Sequence, residues 1–172
     1  IADLFGNGTE DANLGVCWKI HVADTAVVGE GSLGGTDTSI QGVVLVFRGV
    51  DQATPFDVAL VPATGTTGGT PDPPSIDTTG TAGIWTVIVG SNAGIGGTGG
   101  TLTGPANYTT DFFTVGGPDD TADGIIGAGY RTNPADPEDP GTMTSSLTAT
   151  GWCAVTIALK EAVAPTGRRR VI

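Results

Sequence analysis

Between Leu14 and Val22 every even position is apolar (Leu14, Val16, Trp18, Ile20, Val22), while Cys17, Lys19 and His21 share the odd positions. Side chains alternate across a β-strand, so a period of two predicts a strand with one face in a core and the other in solvent. Met143, Ser145, Leu147 and Ala149 alternate in the same way against Thr144, Ser146, Thr148 and Thr150. Gly42–Phe47 and Ile84–Val89 are apolar at both parities, the pattern of central strands covered on both faces. In Trp152–Leu159 the odd positions Cys153, Val155, Ile157 and Leu159 form an apolar face. Further strands are expected near Phe56–Leu60, Tyr108–Val115 and Ile125–Arg131, and the Gly42 run extends to Ile40–Phe47. Helical periodicity is sustained nowhere; Val155–Ala164 comes nearest, but Thr156, Ile157 and its continuity with Trp152 favour a strand.

Breakers fill the gaps between these runs. Pro62–Pro74 is built from Pro, Ala, Thr, Gly and Asp, Ser91–Pro105 holds six glycines, and Thr132–Gly141 sets Pro134, Pro137 and Pro140 among Asp136, Glu138 and Asp139. Connections this long are uncommon in compact domains and are often functional, so these three are the first places to seek partner contacts. Short apolar runs separated by turn residues predict an all-β fold, an antiparallel jelly-roll-like β-sandwich with long Gly/Pro-rich loops. Apolar strands resume directly after each long loop, which argues for one domain over residues 1–161 and a basic tail over 162–172.

Composition changes this picture in one respect. The formal charge is −11, and three of the seven basic residues are Arg168, Arg169 and Arg170. Without them four basic residues face eighteen acidic ones, a balance of −14. Such a body repels nucleic acid and anionic membrane, which bind through cationic groups that displace counterions. No run approaches the roughly 18 apolar residues of a membrane-spanning helix, so neither nucleic acid nor membrane insertion is expected. The arginine triplet is the candidate docking element for an acidic neighbouring subunit.

Candidate chemistry is sparse. Cys17 lies on the polar face of its strand and Cys153 on the apolar face of its own, so their Cβ atoms do not converge as a disulfide requires, and two free thiols are expected. His21 lacks a recognisable nucleophile or orienting partner. One histidine and two separated cysteines do not make a zinc site. Calcium takes six to eight oxygens, and Asp119, Asp120 and Asp123 are the weak candidates for it, with Asp136, Glu138 and Asp139 a second acidic cluster; neither has EF-hand spacing, and Pro-Asp and Asp-Gly are ordinary turn chemistry. No cofactor is otherwise expected. The glycines around Ile95 lack the Lys-Ser/Thr ending of a phosphate loop. Jelly rolls often bind sugars; Trp18 and Trp85 have apolar strand neighbours and read as core, whereas Trp152 and Tyr130 lie near strand ends and are the candidate glycan contacts. Asn7-Gly-Thr9 and Asn107-Tyr-Thr109 match the short glycosylation acceptor pattern.

Val43–Pro55 reads Val-Val-Leu-Val-Phe-Arg-Gly-Val-Asp-Gln-Ala-Thr-Pro and continues Phe-Asp-Val. It resembles a family of phage-associated and bacterial β-sandwich domains in which an apolar strand ends in Tyr/Phe-Arg-Gly-Val before Pro-Leu/Phe-Asp. Val16-Cys17-Trp18-Lys19-Ile20, Ile84–Val89 and the closing Trp152-Cys153-Ala154-Val155-Thr156-Ile157-Ala158-Leu159 resemble further family strands in the same order. The resemblance spans residues 14–160, and by it an N-terminal strand pair is expected to precede the segment starting at Ile1. It transfers no catalytic residue. What it implies is a non-enzymatic bacteriophage virion structural protein on the particle surface, as capsid decoration or a fibre or tail component. Its implied partners are other virion proteins, either further copies of the chain in a homo-oligomer or capsid and tail subunits. The alternative is a carbohydrate-binding, lectin-like module for host attachment, virion-borne or secreted; a hydrolase with an acidic site comes third.

Overall fold

The computed structural model describes residues 2–6, 12–20, 41–66, 68–94, 100–108, 112–116, 124–146 and 149–163. In chain order the strands are β1 (Ala2–Gly6), β2 (Asn13–Cys17), β3 (Val61–Gly65), β4 (Ile84–Gly94), β5 (Leu102–Thr103), β6 (Phe112–Gly116), β7 (Gly124–Thr132), β8 (Thr144–Ser145) and β9 (Ala149–Lys160). The one helical element among the described residues is a 3-10 turn at Ala106–Tyr108. The fold is all-β, and every strand pair among the described residues is antiparallel.

Five strands form the main sheet in the order β3-β9-β4-β7-β6, with β1-β2 and β5-β8 as separate pairs. The middle position of β4 explains why Ile84–Val89 is apolar at both parities: its two faces meet two different cores. On one face Val87, Cys153, Val155 and Ile157 are buried together with Ala12 and Leu14, and Leu45, Phe47, Phe56 and Tyr130 pack around them. On the other, Ile88 and Ile125 are buried with Leu102, Tyr108 and Met143, and Ile84 and Ala158 with Ile76. The first face is thus covered by β2 and the extended chain of residues 43–60, the second by coil and short strands from residues 71–146. Pro71 and Pro73 are fully buried in that second cover, so the Pro-rich stretch after β3 is packed structure rather than an exposed spacer.

Glycine lets this cover approach. Gly90 of β4 pairs with Gly127 of β7, leaving a patch of sheet without side chains. A Cβ on Gly90 would lie 2.6 Å from Met143 Sδ and 2.7 Å from Pro71 Cβ; one on Gly127 would lie 2.7 Å from Phe112 Cζ.

The alternation from Leu14 holds at Leu14, which is buried, at Val16 and Ile20, which are half-buried, and at Cys17 and Lys19, which are exposed. It fails at Trp18, which was expected in the core and is exposed because the strand has ended before it. The strand itself ends at Cys17, short of the expected Val22, and Trp18 is 37% exposed, its ring edge-on to Phe56 at 5.0 Å. Cys17 and Cys153 are both free thiols, one exposed and one buried, with Cys153 Sγ donating to the Ala12 carbonyl at 3.0 Å. A thiol reagent is therefore expected to modify Cys17 rapidly in the folded protein and Cys153 only on unfolding, as two kinetic phases in a colorimetric thiol assay.

Several expected elements differ. Residues 41–47 form no strand; they run extended with Val43, Leu45 and Phe47 half-buried and Val44 and Val46 exposed at 77% and 80%. The expected cover on both faces is absent among the described residues because this segment lies as an outer layer on the sheet, not within it. Phe56–Leu60 contributes a single bridge, Phe56 to Leu159, in place of a strand. Tyr108 sits in the 3-10 turn ahead of β6, and the Met143–Thr150 run is paired at Thr144–Ser145, with its Ala149 and Thr150 opening β9.

Candidate functional site

The polar side chains that the fold brings together lie under the second cover. Arg131 is the penultimate residue of β7 and shares a face with its partner Thr86. The chain then turns through Asn133, whose φ of 52° suits a residue type that tolerates the left-handed region; its N–H donates to the Ile84 carbonyl at 3.0 Å. After the cis Asp136–Pro137 peptide, Glu138 and Ile76 exchange backbone hydrogen bonds, both 2.9 Å. That pairing turns the Glu138 side chain inward, where it is 1% exposed.

A carboxylate so deep is tolerated only when paired and hydrogen-bonded. Glu138 Oε1 accepts from the Tyr108 hydroxyl at 2.8 Å and from Arg131 Nη1 at 3.1 Å. Oε2 accepts from the Ala135 N–H at 2.7 Å and from the same Arg131 nitrogen at 3.3 Å. The Glu138 carbonyl also accepts from Ser75 Oγ at 3.0 Å. Both carboxylate oxygens are thus occupied by protein donors, and the group ties β7, the 3-10 turn, the Ser75–Ile76 segment and its own loop together. Its chemistry is that of a strut.

Burial first, and then the adjacent Glu138 carboxylate, push the Tyr108 phenol well above its ordinary value of 10.0. The folded state therefore holds this proton more tightly than the unfolded state. The associated stability is fully present below about pH 10 and is lost as pH rises beyond it. Unfolding free energies measured by urea titration across this alkaline range are expected to fall more steeply for the natural protein than for Tyr108→Phe. Parallel slopes would contradict this.

The inward turn of Glu138 also dissolves the second acidic cluster expected from sequence, since Asp136 and Asp139 stay exposed. No group of three His, Cys, Asp or Glu side chains able to hold a metal occurs among the described residues. Asp119, Asp120 and Asp123, His21 and Arg168–Arg170 lie outside the described residues. Of the aromatic candidates, Trp152 is half-buried with its indole across Gly65, where a Cβ would meet Trp152 Nε1 at 2.4 Å. Tyr130 is half-buried too, edge-on to Phe47 at 5.4 Å, and Phe47 in turn lies tilted against Trp85 at 5.5 Å. The two candidates stand on opposite faces of the main sheet, because Tyr130 is in register with Val87 and Trp152 with Asn92.

The outer surface offers a different feature. Val44 and Val46 project from one side of the extended segment 42–47, and no strand pairs with that segment among the described residues. An unpaired extended run with apolar side chains is a template for docking by another chain. Sequence reasoning had the signal, apolar residues at both parities, but assigned it to an internal strand. An open hollow of about 420 Å³ beside the end of β9 is walled by Thr79, Gly83, Lys160 and Glu161. No helix among the described residues is long and apolar enough to cross a membrane.

No family model matches the chain, and neither the curated proteins nor the solved structures include a match to it. The resemblance to phage-associated sandwich domains therefore stands on its sequence motifs alone.

Proposed function

We propose that this chain is a non-enzymatic bacteriophage virion structural protein, a jelly-roll-like capsid-decoration, fibre or tail component that works by protein–protein contact on the particle surface. The observation that supports this best is the outward pair Val44 and Val46 on an extended segment that no strand among the described residues pairs with. That segment opens the Val43–Pro55 stretch in which the family resemblance is densest. Residues 41–47 hold no charged side chain in a chain of net charge −11, so a neighbouring subunit can approach there without desolvating a charge. Arg168, Arg169 and Arg170 supply a second contact of opposite character, toward an acidic neighbour.

Gradient-purified particles from the chain's own source test the reading by immunoblot and quantitative mass spectrometry. The chain is expected to sediment with particles at constant stoichiometry, and Val44→Lys with Val46→Lys should lower its occupancy at least tenfold with an unchanged circular dichroism spectrum. Recovery of the natural chain only in the soluble fraction would overturn the proposal. A carbohydrate-binding module is the second reading, favoured by the half-buried indole of Trp152 packed against Gly65. It expects saturable glycan-array binding that Trp152→Ala abolishes.

A further inference from the structure

We draw no further inference here: the strongest candidate, the loop end of the main sheet where the buried Asn92 side-chain oxygen has no hydrogen-bond partner, carries no cation site because the carboxylates that would complete one, Asp119, Asp120 and Asp123, lie outside the described residues.

Discussion

Replacing Arg131 by Met is expected to destabilise the fold by about 3–5 kcal/mol, the usual cost of leaving one member of a buried ion pair without its partner. Glu138 is 1% exposed and its two oxygens share the Arg131 Nη1 donor. Without the guanidinium, the carboxylate keeps only the Tyr108 hydroxyl and the Ala135 N–H. The arginine itself is 25% exposed, so the reverse change, Glu138→Gln, strands a charge that water can still reach and should cost less. Tyr108→Phe removes a single donor to a charged acceptor and is expected to cost about 1.5–3 kcal/mol. The order Arg131→Met, then Glu138→Gln, is the discriminating result in urea denaturation. For a chain of this length the first change should lower Tm on the order of 10 °C. Equal effects for the two would mean that the carboxylate is hydrated in solution. Tyr108→Phe and Arg131→Met should also be non-additive, because both act on one carboxylate.

Gly90→Val is expected to cost on the order of 1–3 kcal/mol, the range for forcing extra methyl groups into a packed interior. The first added carbon alone would stand 2.6 Å from Met143 Sδ and 2.7 Å from Pro71 Cβ. Met143 is flexible enough to give way, whereas Pro71 is a fully buried ring. Gly90→Ala should therefore be milder than Gly90→Val, and Met143→Ala should relieve only part of either. A thermal-melt double-mutant cycle on Gly90→Ala and Met143→Ala reads this directly. The double variant is expected to be more stable than the sum of the single losses predicts; strict additivity would show that the cover shifts away from the sheet instead. The variant also tests the second cover as a unit, since Met143 N–H donates to the Pro71 carbonyl at 2.8 Å.

How far the sequence was legible depended on whether a residue's partner was local. Ile84–Val89 could be read directly, because a strand at the centre of a sheet must be apolar on both sides and neighbouring residues already display that; Trp152–Leu159 showed its strand through the apolar odd positions of one face. The same rule misplaced Gly42–Phe47. Apolar residues at both parities indicate two apolar environments, but not whether the second belongs to this chain. Glu138 was grouped with Asp136 and Asp139 because all three share a loop, and only the exchange of backbone bonds with Ile76 separates it from them. Its partners Arg131 and Tyr108 stand 7 and 30 positions away, and no local pattern links them.

Period-two alternation, β-branched strands and abundant turn residues were enough to dictate an all-β chain, the opposite orientations of Cys17 and Cys153, and the central place of Ile84–Val89. These follow from backbone geometry, which every residue obeys without reference to distant ones. Which strands neighbour each other, which loops become cover, and which acid is buried were decided by tertiary contacts. Sheet order β3-β9-β4-β7-β6 joins segments far apart in the chain. The packing of Pro71 and Met143 onto Gly90, and the capture of Glu138 by Arg131 and Tyr108, depend on that order. Burial and hydrogen bonding are properties of assembled neighbours, and they exist only once the sheet has formed.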